Sequence, residues 1–245
     1  MFPKRILILG GTAEARALAA SLVQAGNDVT TSLAGVTQHP HLPEGQIRIG
    51  GFGGAAGLRD FLALKKIDVV VDGAHPFAAA ISRNAAEACG ATKLLRLERP
   101  AWIKQTEDIW IGVPDTSSAA QALPQRARVL LTIGRKEIGV FMARTDLTGV
   151  ARMIEPPPAP LSAQWQLMLK RPPFSLESEI GLMRSHAITH LVCKNAGGVE
   201  TYEKLLAARQ LRIAVVMINR PTKPVAPIYK TVEALAWQVG TMSLD

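Results

Sequence analysis

The sequence predicts an α/β protein with doubly wound, mainly parallel sheets, and three observations carry that prediction. Short runs of Val, Ile and Leu recur along its 245 residues. They are apolar throughout, as strands covered on both faces must be. Segments with apolar residues at helical spacing separate these runs. The first run leads through a glycine turn, Gly10-Gly11-Thr12, straight into a helical pattern. Strand and helix in alternation is the pattern of helices packed on both faces of one sheet.

The elements follow in order. Ile6-Leu7-Ile8-Leu9 marks a buried strand over 5–9. The helix over 12–25 keeps Ala15, Leu18, Ala19, Leu22 and Val23 on one face and stops at Gly26. Further strands are expected at 28–33, 67–72, 93–97, 128–133, 190–194 and 212–218. Further helices are expected at 57–65, 78–89, 136–142, 176–185, 199–209 and 232–239. The strand–turn–helix unit at 6–16 has a weaker counterpart at 129–138. That repetition predicts two Rossmann-like halves, 1–110 and 111–245, with an active site in the cleft between them. The proline-rich stretch at 155–160 reads as a stiff surface loop within the second half.

Composition narrows the function. Hydrophobic residues make up 48% and charged residues 20%, enough for a sizeable core. No run of about 18 apolar residues predicts a membrane span. The N-terminus enters a strand directly and carries no signal-peptide pattern. The two cysteines, Cys89 and Cys193, sit in apolar patterns as buried thiols of a reducing compartment. A cytoplasmic location is expected. The net charge of +8 fits an anionic small molecule drawn to a positive surface. It does not fit nucleic acid, because the basic residues are scattered, aromatics are 5% and no nucleic-acid module is present.

Four segments leave predicted strands with unusual composition. They are Gly10-Gly11-Thr12, Asp72-Gly73-Ala74-His75-Pro76-Phe77, Thr132-Ile133-Gly134-Arg135-Lys136 and Lys194-Asn195-Ala196-Gly197-Gly198. Loops at that edge of a sheet hold ligands. The first keeps one glycine of the G-x-G-x-x-G register, with Thr12 and Ala15 as small residues at the other two places. It reads either as a diphosphate turn or as a plain strand-to-helix turn. His75 either holds its own turn or takes part in proton transfer. Arg135 and Lys136, expected at a helix start, are unfavourable there unless an anion joins them. The same holds for Lys194 before Gly197-Gly198.

The second strand ends Ser32-Leu33-Ala34-Gly35, without the acid that holds the ribose 2′-hydroxyl of NAD. That favours NADPH, although the sequence places no arginine next to Ser32. Other chemistries find no support. His39 and His41 lack partners at zinc spacing. No G-x-S-x-G or G-x-x-x-x-G-K-[ST] run occurs. Neither Tyr202 nor Tyr229 has a lysine four residues on.

Six motifs in this order resemble the precorrin-6A reductase (precorrin-6x reductase) family of cobalamin biosynthesis. They are residues 8–16, 72–78, Arg96-Leu97-Glu98-Arg99-Pro100-Ala101-Trp102, 132–137, 194–198 and Asn219-Arg220-Pro221. The resemblance implies NADPH-dependent reduction of one double bond in the precorrin-6A macrocycle, giving precorrin-6B. It implies two Rossmann-like domains, with the cofactor mainly on the first and the substrate between them. Gly10, Gly11, Thr12, Glu14, Ala15, Ser32, Ala34, Gly35, Gly73, Ala74, His75 and Pro76 are then expected at the cofactor. Arg83, Arg99, Gly134, Arg135, Lys136, Lys194, Asn195, Gly197 and Gly198 are expected at the polycarboxylate tetrapyrrole. Lys136 and His75 are the candidate catalytic groups, with solvent as another proton source. No metal, nucleic acid or membrane partner is expected. The expected state is a monomer that can hand its product to neighbouring pathway enzymes. The alternatives are a cobalt-precorrin-6A reductase, a reductase or epimerase of another anionic metabolite, and a non-catalytic nucleotide sensor.

Overall fold

The computed structural model describes residues 3–35 and 41–243. His39 lies outside them. The elements run β1 (Arg5–Leu9), α1 (Ala13–Gln24), β2 (Asp28–Leu33), β3 (Gln46–Ile49), α2 (Ala55–Leu64), β4 (Val69–Asp72), α3 (Ala79–Cys89) and β5 (Lys93–Leu97). Next come β6 (Trp110–Val113), α4 (Thr116–Ala122), β7 (Arg128–Thr132), α5 (Gly139–Met142), β8 (Thr148–Met153) and β9 (Trp165–Leu169). The chain closes with α6 (Leu176–Ser185), β10 (His190–Lys194), α7 (Glu203–Gln210), β11 (Ala214–Ile218), β12 (Ile228–Tyr229) and α8 (Val232–Thr241).

These form two parallel six-stranded sheets. The first has the order β3-β2-β1-β4-β5-β12 and the second β9-β8-β7-β10-β11-β6. Both are the doubly wound order 3-2-1-4-5-6. In each, the sixth place is taken by a strand from an unexpected part of the chain. β6, which follows the first five strands, completes the second sheet, and β12, the last strand, completes the first.

The expected single division after residue 110 is therefore replaced by two. One compact unit is Met1–Pro100 with Pro221–Asp245, the other Ala101–Arg220. The physical reason is visible at the returning segment. Ile228 and Tyr229 pair with Arg96 and Leu97. Leu235 and Val239 of α8 bury against Leu18 and Leu22 of α1. The Lys4 ammonium, 2% exposed, donates to the Val239 carbonyl at 2.7 Å.

The apolar residues of the central strands are buried, as their composition requires. Ile6, Leu7, Ile8, Val69, Val70 and Val71 are fully inaccessible. Ile6 and Ile8 face the core under α1 and α8, whereas Leu7 and Val70 face α2 and α3. In the second unit Leu130, Val150, Leu191 and Val215 share a core on one face of the sheet. The predicted helix over 136–142 is reduced to the single turn of α5, and the one over 199–209 starts only at Glu203. The stretch 155–160 is an irregular, mostly exposed loop. Among the described residues no helix is long and apolar enough to cross a membrane.

Candidate active site

In the order 3-2-1-4-5-6 the connections reverse direction between the first and fourth strands, and ligands bind beyond the carboxyl ends there. In the first unit that point lies at the ends of β1 and β4. Gly10 has no room for a side chain, since a Cβ would stand 2.6 Å from Thr31 Cγ2. Gly11 is different. Its φ is +119° and a Cβ would meet nothing within 4 Å, so the space beside its backbone is open.

Thr12 then caps α1. Its Oγ1 accepts from the Ala15 N–H at 3.1 Å and donates to the Gly73 carbonyl at 2.9 Å. One side chain thereby ties the two turns that flank the switch point. The N–H groups of Ala13 and Glu14 find no carbonyl within the helix and point back toward the glycine turn. Ala15 is fully buried and lies against Gly73, where a Cβ would be 3.1 Å from that of Ala15. Its smallness serves packing of helix on strand.

The end of β4 is held by a buried ion pair. Asp72 Oδ2 accepts from Arg96 Nε at 3.0 Å, with the side chains 0% and 4% exposed. Asp72 Oδ1 accepts from the Ala74 N–H at 3.3 Å, and Arg96 Nη1 donates to the Pro224 carbonyl at 3.0 Å. The turn that follows exposes His75 and buries Pro76. The Phe77 N–H donates to His75 Nδ1 at 3.3 Å, and the Ala78 N–H to the His75 carbonyl at 2.7 Å. His75 thus holds its own turn, and its Nδ1 is committed as an acceptor. Glu14 and Arg99 pair through both carboxylate oxygens, at 3.0 and 2.9 Å. They line a small notch with Thr12, Ala74, Pro76, Leu97 and Glu98. Arg83 is exposed on α3.

At the end of β2, Ser32 is buried, whereas Ala34 and Gly35 are exposed. Here the structure corrects the sequence reading, which found no arginine beside Ser32. Arg48 of β3 pairs directly with Ser32 in the sheet register, and its Nη1 donates to Ser32 Oγ at 3.3 Å. The alternation Gln46-Ile47-Arg48-Ile49 before two glycines was the strand signal that would have placed it.

In the second unit the equivalent switch point joins the ends of β7 and β10. Gly134 is exposed and a Cβ there would meet nothing within 4 Å. Arg135 and Lys136 stand in a turn ahead of α5, not at a helix start as expected. Arg135 donates to the Pro156 carbonyl at 3.3 Å. Lys136 is exposed. Lys194, expected to face an anion, forms an ion pair with Glu137.

The turn after Lys194 is built from three of the sequence motifs. Asn195 Oδ1 accepts from the Trp102 N–H at 2.8 Å, and its Nδ2 donates to the Trp102 carbonyl at 3.1 Å. The Trp102 indole N–H donates to the Gly198 carbonyl at 2.8 Å. Arg220 donates to the Asn195 and Ala196 carbonyls at 2.9 and 3.0 Å. Gly197 and Gly198 take φ values of +70° and +84°. The Asn195 amide is thereby engaged within the fold, and Trp102 and Arg220 are the clamps that the sequence reading did not assign.

Neither thiol suits nucleophilic work. Burial, with the Asp72 charge adding to it, pushes the Cys89 thiol up to about 11. Burial raises Cys193 to about 11 as well. Among the described residues no cluster of three His, Cys, Asp or Glu side chains is placed to hold a metal.

A family model described as precorrin-6x reductase CbiJ/CobK matches residues 5–239. The chain belongs to the precorrin-6x reductase family. The precorrin-6A reductase of Rhodococcus erythropolis is 46% identical over 98% of both chains. That of Rhodobacter capsulatus is 42% identical over 94% of both. The solved structure of a CobK precorrin-6A reductase superposes with a TM-score of 0.90 at 41% identity, covering 97% of this chain and 96% of that one. Membership in this family identifies an oxidoreductase on two Rossmann-like sheets.

Proposed function

We propose that this family member reduces one double bond of the precorrin-6A macrocycle with NADPH, giving precorrin-6B. The observation that carries the cofactor half is the first unit's switch point. An open backbone at Gly11 and a capped helix directly behind it suit a diphosphate, and Ser32 stands where an NAD-binding fold has an acid. The relatives named above supply the substrate half.

The cofactor, when bound, supplies the hydride. The chain's residues position and neutralise. Gly10 and Gly11 let the diphosphate approach, and the Ala13 and Glu14 N–H groups bind its oxygens. Ser32, Ala34 and Gly35 border the adenosine ribose. The turn Gly73-Ala74-His75-Pro76, fixed by Asp72 and Thr12, flanks the nicotinamide ring. Arg135 and Lys136 hold substrate carboxylates, and Lys194 joins them by exchanging its Glu137 partner. Reduction of a carbon–carbon double bond also consumes a proton. Protonating His75 Nδ1 would cost its bond from Phe77, so Lys136 is the better source. Holding two reactants in register can lower the barrier of such a reaction by up to about 7–11 kcal/mol.

The test is an anaerobic mixture of protein, NADPH and precorrin-6A, with cofactor absorbance and macrocycle spectrum followed together. The expected result is stoichiometric loss of NADPH with a shifted macrocycle spectrum. Bound NADPH that is not oxidised, or oxidation only with the cobalt-bearing substrate, overturns the assignment. Turnover and substrate affinity both unchanged in Lys136→Ala would remove that residue from the mechanism.

A further inference from the structure

A polar pocket of about 240 Å³ opens at the amino edge of the second sheet. Arg128, Thr148, Gln164, Trp165, Gln166 and His186 are among the residues that line it. They stand at the starts of β7, β8 and β9 and at the end of α6. The turns at Gly134 and Gly197 follow the carboxyl ends of β7 and β10, so the pocket lies at the other end of the strands. An engineered cavity of about 150 Å³ takes a benzene molecule, so this one has room for a small organic ligand.

The lining carries a cation and no carboxylate. Arg96, Arg99, Arg144, Arg152 and Arg209 each meet an acidic side chain. The Arg128 guanidinium is exposed and has no such partner among the described residues. His186 ends α6, and its Nε2 lies 2.8 Å from Gln166 Oε1. A carbonyl oxygen only accepts, so the imidazole donates there. The Gln166 amide N–H groups then turn away from it, without a partner among the described residues. Trp165 is 6% exposed, and its buried indole N–H also lacks a partner. Buried donors in folded proteins nearly always have one. Unused donors beside an unpaired cation suit an oxyanion.

We propose that this pocket binds a small organic carboxylate, with the Arg128 guanidinium on the carboxylate and the Gln166 amide on a second oxygen of the ligand. A planar guanidinium matches a carboxylate through paired charge-assisted bonds. A bare phosphate would leave much of the volume unfilled. The pocket belongs wholly to the second unit, and the inference stands apart from the reduction proposed above.

The test is calorimetric titration of the intact protein, at low salt, with L-malate, its neutral diamide and inorganic phosphate. Malate should bind, the diamide should not, and phosphate should bind more weakly than malate. Arg128→Ala should weaken malate by about 10-fold, the lower end for hydrogen bonds to a charged group, because exposure screens the pair. Gln166→Leu keeps the cation and should weaken malate by about 2- to 10-fold. Lys136→Ala should leave malate affinity unchanged, which separates this pocket from the cationic turn at the carboxyl edge. No malate binding, equal binding of the diamide, or equal affinity in Arg128→Ala overturns the proposal. Loss of malate binding in Lys136→Ala overturns the location. Phosphate that binds as tightly as malate overturns the choice of a carboxylate.

Discussion

The two units share one strand order and end their fourth-position strands on opposite charges. β4 ends on Asp72 and β10 on Lys194. Asp72 faces its register partner Arg96 in a buried pair. Lys194 meets Glu137 with 17% and 41% of the two side chains exposed. The first pair is locked out of water and fixes a turn. The second stays wet and can exchange partners. A similar contrast holds at the first-position strands. β1 leads through Thr12 into a capped helix of 12 residues, and β7 leads into a turn and a helix of 4. One unit therefore presents backbone N–H groups at a capped helix start, the feature on which the proposed diphosphate site rests. The other presents the cationic side chains of Arg135, Lys136 and Lys194, to which the proposal assigns the substrate carboxylates.

The largest expected effect tests the locked pair. Asp72→Ala leaves the Arg96 guanidinium buried without its carboxylate, and such a break costs about 3–5 kcal/mol. Urea unfolding should show that loss. Glu137→Gln, its counterpart in the second unit, should cost less than about 1 kcal/mol, because a partly exposed pair is screened by water. Equal losses for the two variants would break the comparison.

The contrast between the units also decides what was legible in the sequence. β1, β4, β7, β10 and β11 were read because their buried stretches are apolar runs, and β2 and β5 were read beside them. β3, β6, β8, β9 and β12 were not. β3 and β9 are largely exposed edge strands, and β12 is two residues long. β8 contains Arg152, whose buried charge is met by Glu179 of α6 at 2.7 Å. That partner is 27 residues away and has no local signature. Missing β3 also hid Arg48, since its bond to Ser32 spans 16 residues and exists only once the strands are side by side. Likewise the motifs around Trp102, Asn195 and Arg220 were read one by one, whereas their meaning is the clamp they form together. The glycine turn was legible because strand, turn and cap are contiguous.

A middle-sized effect tests the close approach in the first unit. Gly10→Ala forces a methyl to within 2.6 Å of Thr31 Cγ2. Thr31 is β-branched and 1% exposed, so its χ1 is restricted and its methyl has little space to swing into. Overpacking of this kind costs about 1–3 kcal/mol, and the strain falls on the turn that would carry the diphosphate. Both melting temperature and NADP⁺ affinity should drop. A fall in stability with unchanged nucleotide affinity would detach the turn from the cofactor.

Gly134→Ala is the smallest expected effect and the most discriminating. The position corresponds to the turn after β1, but an added Cβ meets nothing within 4 Å and φ lies outside the left-handed range. Stability should therefore stay within about 0.5 kcal/mol of the wild type. Any consequence must come from a ligand that approaches this backbone. If KM for the tetrapyrrole rises while melting is unchanged, the second turn is open because substrate uses the space. If neither changes, the anion is held by the side chains of Arg135 and Lys136 alone, and the two glycine turns differ in kind. The first would then bind through its backbone and the second only through what projects from it.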